Sequence, residues 1–278
     1  MSGPGGRETA VLNTVLDLCR DAVERFRKAP TPARSKPSPL SPGRCEPVTD
    51  LDLGLQDLLT TAVNRLWPGI PVVAEEDRDT GAALAVPDDC VLIDPLDGTV
   101  PFLGGSADFA IALCLVRAGA PALGVVDLPA HGVRLTARPG VLDVTGNITR
   151  LPLHPPHTLL TSPRRTTDTA RMLDGSRWEA APVPTASVKL AFVALGRAPA
   201  ACGAPAAPWD FPAAALAVAA AGGTVRYRPG RDLARARPRL VTGWLATNPT
   251  TDPAELTALL APPGPRQKEG TRVCDRPL

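Results

Sequence analysis

Val91-Leu92-Ile93-Asp94-Pro95-Leu96-Asp97-Gly98-Thr99 is the stretch on which the reading of this chain turns. Residues 91–93 are apolar and branched, and the polar Asp88-Asp89 bounds them, so they read as a short strand buried on both faces. Asp94 stands at its exit. Pro95 fixes the next φ and keeps Asp94 extended, so the chain turns at once and carries Asp94, the Leu96 carbonyl and Asp97 around one bend. Hard divalent cations take oxygen ligands of this kind, and Mg2+ holds a few carboxylates at about 2.1 Å while keeping several waters. If Gly98 and Thr99 open a helix, their N–H groups offer an anion site beside the cations. Asp-Pro and Asp-Gly are also ordinary turn dipeptides. An all-acidic turn directly after a buried strand, however, would be left with uncompensated repulsion. The stretch therefore reads as a metal-dependent phosphate site.

Upstream, Glu75-Glu76 follows the apolar residues 70–74, a second short strand ending in acid. Two adjacent glutamates alone would be an unremarked solvated turn. Between the acidic elements and the N-terminus lie two amphipathic helices. Residues 8–28 place Val11, Leu12, Val15, Leu16, Leu18, Cys19, Val23 and Phe26 at helical spacing. Residues 50–66 do the same with Leu51, Leu55, Leu58, Leu59, Val63 and Leu66, and Asp50 or Asp52 is placed to cap them. Residues 30–47 carry six prolines and are expected to be a mobile loop without regular structure, either a lid bearing Arg34, Lys36 or Arg44 or a solvated linker.

Beyond the bend, residues 109–116, 122–126 and 133–137 read as an antiparallel meander. Residues 138–156 look less structured and hold the expected domain boundary: an N-terminal α+β domain over 1–150, a C-terminal α/β domain over 151–262 and a disordered tail over 263–278. The second half offers a strand at Leu159-Leu160 and then the basic Arg164 after Ser162-Pro163, which either meets a substrate phosphate or starts a helix. A helix over 187–195 follows, and another over 212–221 has Asp210 as its expected N-cap. Strands over 224–228 and 240–246 precede a last helix, opened by Asp252-Pro253-Ala254-Glu255 as a capping box. His131, His154 and His157 read as loop residues.

Composition bounds the rest. A chain of 278 residues with 44% hydrophobic content can bury one large core or two modest ones. A net charge of +2 gives no electrostatic ground for a nucleic-acid or membrane partner. The six cysteines are scattered without Cys-x-x-Cys spacing, and no signal peptide or long apolar span is evident, so a reduced cytoplasmic protein is expected. Only Lys28, Lys36, Lys189 and Lys268 are lysine, which makes Lys189 conspicuous on its helix, although a surface lysine would read the same way.

Several of these stretches resemble motifs of one family. Asp94-Pro95-Leu96-Asp97-Gly98-Thr99 resembles the first motif of the inositol monophosphatase superfamily, the lithium-sensitive, Mg2+-dependent phosphomonoesterases. Val73-Ala74-Glu75-Glu76-Asp77 is similar to its second acidic element, and Trp209-Asp210 before an alanine-rich helix to the element that gives its last metal ligand. Pro47-Val48-Thr49-Asp50-Leu51-Asp52 and Ala186-Ser187-Val188-Lys189 resemble segments of the 3'-phosphoadenosine-5'-phosphate phosphatase branch.

The resemblance implies an α/β (α+β) fold, the layered α/β/α/β/α sandwich shared with fructose-1,6-bisphosphatase, with the metals between two domains. It implies two or three Mg2+ ions, with Mn2+ able to substitute, held by Glu75, Asp94, the Leu96 carbonyl, Asp97 and Asp210. Thr99, oriented by Asp52, would take a proton from the attacking water, and Glu75 would share in the catalytic set. Gly98 and Thr99 would hold the phosphate, and Ser187, Lys189 and Arg164 the rest of the substrate. The family is often dimeric, so a homodimer is expected.

Two departures bear on the substrate. Val100-Pro101 stands where the nucleotide branch has a polar pair, and small residues around Ala201-Cys202-Gly203-Ala204 replace its Tyr-Pro-Arg. The expected substrate is thus a small sugar phosphate or nucleoside monophosphate. The alternatives are a 3'(2'),5'-bisphosphate nucleotidase, an inositol monophosphatase, and a non-catalytic phosphate-ligand binding protein.

Overall fold

The computed structural model describes residues 6–38, 44–77, 86–203, 207–227, 231–232 and 243–260. Helix α1 (Gly6–Lys28) begins two residues before its apolar periodicity, and it buries Leu12, Leu16, Cys19 and Val23 while leaving Leu18 exposed. The next segment corrects the sequence reading. Residues 30–47 are not devoid of regular structure: β1 (Arg34–Pro37) pairs antiparallel with β2 (Cys45–Val48), Arg34 opposite Val48 and Pro37 opposite Cys45. A two-stranded ribbon whose outer edges face solvent tolerates the missing N–H groups of Pro37 and Pro47.

Helix α2 (Asp50–Leu66) is capped by Thr49, not by either aspartate. The Thr49 hydroxyl accepts from the Leu51 and Asp52 amides, and the Asp52 carboxylate accepts from the Thr49 amide at 2.8 Å, which closes a capping box. Asp52 is thereby pinned at the start of a helix that buries Leu55, Leu59 and Val63 and turns Leu58 to solvent.

Six strands form the first sheet: β3 (Val72–Ala74), β4 (Cys90–Asp97), β5 (Ala110–Arg117), β6 (Ala120–Leu128), β7 (Val133–Arg138) and β8 (Val141–Thr145), paired in that order. Only β3 and β4 run parallel. Strand β8 falls within residues expected to be less structured; its mostly exposed side chains hid it from a pattern search. Strand β4 is longer than the apolar run suggested and takes in both aspartates, because the ladder to β5 shifts register between Asp94 and Asp97 and leaves Pro95 off it.

The second sheet has the order β10-β9-β11-β14-β12-β13, with β9 (Thr158–Thr161), β10 (Glu179–Pro182), β11 (Ala200–Gly203), β12 (Thr224–Tyr227), β13 (Arg231–Asp232) and β14 (Trp244–Thr247). The expected starts at residues 240–242 and the expected end at Arg228 lie outside the described residues, as do the tail over 263–278 and Cys274.

Alternation along the strands sorts the layers. Val91, Ile93, Ile111, Leu113 and Leu115 point to a core shared with α1 and α2. Cys90, Leu92, Ala112, Cys114 and Val126 point the other way, onto α5 (Ala186–Ala194) and α6 (Pro212–Ala220), which also cover the second sheet. On that sheet's far side, Leu159, Ala200 and Leu245 pack with Leu173, which follows α4 (Thr166–Met172), and with Leu256 of α7 (Pro253–Leu259). The result is the five-layer α/β/α/β/α sandwich. Its middle layer is buried on both sides, so α6 is apolar all round and α5 is nearly so, Ser187 and Lys189 being its polar residues. The alanines of α6 let it sit close: a Cβ on Gly124 of β6 would lie 2.7 Å from the Ala213 carbonyl oxygen.

Candidate metal centre

Three elements from two layers deliver acid to one point. The parallel pairing of β3 with β4 sets their ends side by side, so Glu75, just past β3, lies next to Asp94; the Glu75 amide donates to the Ile93 carbonyl at 3.1 Å. Asp210 arrives from the turn before α6. The sequence reading made it that helix's N-cap, but Phe211 occupies the cap position. One Asp210 carboxylate oxygen instead accepts from the Ala207 amide at 2.8 Å. Glu75, Asp94 and Asp210 each offer an oxygen, and these oxygens lie within 4.8 Å of one another.

Asp94 is 1% exposed; its Oδ1 accepts from the Leu96 amide at 3.1 Å, while its Oδ2 is buried without a hydrogen-bond partner. An unpaired buried carboxylate oxygen is costly and calls for a cation or a proton. Burial, followed by the neighbouring charges of Glu75, Asp97 and Asp210, pushes the Asp94 carboxyl well above its ordinary range. Burial and the charges of Asp97 and Glu75 do the same to Asp210.

Asp97 lies at the end of β4 and lines the same cavity. Its Oδ2 accepts from the Ser187 amide at 2.7 Å. Burial raises it to about 6 although the Ser187 amide pulls the other way. Gly98 follows with φ 101° and ψ 43°, capping the short helix α3 (Thr99–Leu103). The Thr99 hydroxyl donates to Asp52 Oδ1 at 2.9 Å, with the Leu96 carbonyl 3.3 Å away. Asp52 in turn accepts from both the amide and the hydroxyl of Thr49. The Thr99 oxygen keeps its lone pairs for a further donor.

The hairpin of β1 and β2 lies against this centre. Lys36 Nζ is 2.8 Å from Glu75 and 2.6 Å from Glu76. Burial and the Glu75 charge still outweigh that ammonium at Glu76, whose carboxyl rises to about 7. The two carboxylates in turn hold Lys36 above its usual range against the effect of burial. Ser38, Arg44, Cys45 and Glu46 of the hairpin region join Glu75, Asp94, Asp97, Thr99, Arg164 and Asp210 around a cavity of about 560 Å³. Val100 and Pro101 give its wall an apolar section, Val100 being 65% exposed.

Arg164, named from the sequence as a substrate contact, is among the lining residues; Ser187 and Lys189 are not. Lys189 is no surface lysine either. It is 1% exposed, donates from Nζ to the Ser162 hydroxyl at 2.9 Å and lies 5.3 Å from the Trp244 ring centre. Burial lowers it to about 8. Sequence reasoning missed Glu46, whose charge reaches Asp210, because an acid between Cys45 and Pro47 in a proline-rich stretch forms no pattern.

Comparison with known proteins gives an independent view. A model of the inositol monophosphatase family matches residues 10–262. The 3'(2'),5'-bisphosphate nucleotidase CysQ of Escherichia coli O157:H7 is 30% identical over 130 residues, which are 47% of this chain and 52% of that protein. CysQ of Haemophilus influenzae is 36% identical over 84 residues, 30% of this chain and 31% of its own. The chain thus spans about half, or less, of the length of these curated relatives. Among solved structures, the Thermotoga maritima IMPase superposes with a TM-score of 0.69 at 22% identity, over 89% of this chain and 95% of that one. An IMPase/NADP phosphatase complexed with Mg2+ and phosphate gives 0.75 at 18% identity, over 92% and 95%. At these identities the likeness is one of fold.

Proposed function

The chain belongs to the inositol monophosphatase family, and from that premise we propose that it is a metal-dependent phosphomonoesterase acting on a small phosphorylated molecule. The observation that carries this is the convergence of Glu75, Asp94 and Asp210 within 4.8 Å, around a buried Asp94 oxygen that has no partner. The donor set fits a hard divalent cation: every group is an oxygen, and like charges this close cannot all stay ionised without one. Glu75, Asp94 and Asp210 would hold it, with Asp97 and the Leu96 carbonyl beside them, and we take Mg2+ as the ion. When bound, such a cation offsets phosphate charge and makes water more acidic.

The protein's own residues do the rest. The Thr99 hydroxyl, donating to Asp52, presents its lone pairs to the attacking water and takes up the water's hydrogen bond. Asp52, fixed by the Thr49 cap, is the acceptor behind it. The Gly98 and Thr99 amides face the phosphate, and Arg164 at the cavity wall meets what remains of the substrate. The new bond joins water's oxygen to phosphorus; the ester oxygen leaves with a proton as the free alcohol. The substrate we infer is a small sugar phosphate or nucleoside monophosphate, because Val100 and Pro101 give no polar contact to a doubly charged nucleotide. The matches to CysQ favour a second reading, a nucleotidase for 3'-phosphoadenosine-5'-phosphate.

We also propose the division at about residue 150, with the first domain supplying Glu75, Asp94 and Asp97 and the second Asp210, and a cytoplasmic location, in keeping with free thiols at Cys19, Cys45, Cys90 and Cys114. Comparing kcat/KM for 3'-phosphoadenosine-5'-phosphate, AMP and inositol 1-phosphate in Mg2+ decides the substrate. Our reading expects no preference for the bisphosphate. A hundredfold preference for it, about 2.7 kcal/mol of transition-state discrimination, would establish the second reading, and no release from any phosphate ester would remove both.

A further inference from the structure

We propose that Ser187 is a positioning residue that sets the spacing between Asp97 and Asp210, so that the carboxylates from the two halves of the chain can share a cation; this rests on the metal-centre reading above. Ser187 lies in the first turn of α5 and is 0% exposed. Its amide donates to Asp97 Oδ2 at 2.7 Å, and its hydroxyl donates to the Asp210 main-chain carbonyl at 3.2 Å. One residue thus ties the exit of β4 to the turn that precedes α6. The hydroxyl has a single hydrogen to give, and it is spent inside the protein. Ser187 is also absent from the cavity lining, so it has no role left as the substrate contact expected from the sequence.

Thr185, the cap residue of α5, makes the joint rigid. A Cβ built on Gly98 would lie 2.3 Å from Thr185 Cγ2, so α5 docks into the bend through the space that glycine leaves. The Asp97 carboxylate also meets the positive end of the α5 dipole, which favours its charged form. With amide, hydroxyl and methyl contacts in place, neither Asp97 nor the Asp210 backbone can move without α5. Removing the hydroxyl keeps the amide's hydrogen bond to Asp97 and takes away the hydroxyl's hold on the Asp210 turn. Groups that orient metal ligands in this way typically alter affinity or activity by about 10- to 100-fold.

The test is a Mn2+ titration followed by electron paramagnetic resonance on the full chain and on Ser187→Ala, with the Tm of each recorded free of metal. The expected result is a wild-type chain that binds Mn2+, and a variant that loses about tenfold or more in Mn2+ affinity, because Asp210 belongs to the cation site. The variant's metal-free stability should fall only by what one buried hydrogen bond is worth, about 1–3 kcal/mol, and its kcat should fall with KM unchanged. Superimposable titrations would overturn the role of Ser187 alone. Weakened binding together with a metal-free destabilisation well beyond the loss of one buried hydrogen bond, more than about 3 kcal/mol, would make Ser187 a structural residue and overturn it too. A wild-type chain that binds no Mn2+ would instead refute the metal centre, and this inference with it.

Discussion

Gly98 is the point where backbone conformation, packing and the proposed chemistry meet, and Gly98→Ala separates their contributions. The residue sits at φ 101°, in a region where an L side chain is strained, at a cost of about 1–2 kcal/mol. Its new methyl would also fall 2.3 Å from Thr185 Cγ2 and 3.1 Å from both the Asp108 carbonyl oxygen and Pro101 Cγ. Thr185 is 3% exposed and cannot swing aside, so overpacking adds about 1–3 kcal/mol. The total is roughly 2–5 kcal/mol. Gly69 provides the control: its φ is 79°, yet a Cβ there meets nothing within 4 Å, so Gly69→Ala should show only the backbone cost. Urea unfolding of both variants, compared at equal m-values, measures the difference. If Gly98→Ala lost no more stability than Gly69→Ala, the close docking of α5 into the bend would be wrong.

Other outcomes follow from the same geometry. Thr99→Ala should lower kcat by about a hundredfold or more with KM little changed, since its hydroxyl acts on the nucleophile; a loss in KM alone would make Thr99 a binding residue. Lys36→Met should destabilise the metal-free chain by roughly 2 kcal/mol, because it strips Glu75 and Glu76 of their shared charge-assisted contact. The same change should enlarge the Tm gain on adding Mg2+, by freeing Glu75, and a smaller gain would contradict the competition. Asp97 near 6, Glu76 near 7 and the raised Asp94 and Asp210 bind protons in the folded chain that the unfolded chain has released above about pH 4. Native protons in excess mean that metal-free stability falls as pH rises. The fall should be clearest above about pH 6.5, the ordinary imidazole value, beyond which the opposing contribution of His131 and His154, both lowered by burial, dies away as the unfolded chain loses its imidazole protons. A Tm series in chelator that rises from pH 6.5 to 7.5 would refute it.

Much of this centre was legible in the sequence, where a residue's type and its neighbours determine its place. The run at 91–93 announced β4, and proline after Asp94 announced the bend, because both effects are local. Asp52 could be drawn to Thr99 only through resemblance, since a contact between a helix start and a strand exit leaves no trace in spacing. The hairpin at 34–48 was hidden by its prolines, which argue against central strands but are tolerated on a two-stranded ribbon. Asp210 looked like a cap because an Asp at the start of an alanine-rich helix often is one; Phe211 takes the cap position, and Asp210 accepts from the Ala207 amide instead. Lys189 could be read as a surface or substrate residue, and its burial against Ser162 and Trp244 depends on how two strands of the second sheet lie beside α5.

The central claim, that Glu75, Asp94 and Asp210 form a cation site at which a phosphate ester is cleaved, is tested most directly by phosphate release from purified protein in Mg2+, in Mg2+ with excess chelator, and by Asp94→Asn in Mg2+. Asp94→Asn keeps the shape of a side chain that is 1% exposed and removes its charge. The account predicts release in the first case only, with the variant's thermal unfolding showing that it is still folded. Release that survives the chelator, or an Asp94→Asn chain that turns over at the wild-type rate, would contradict it.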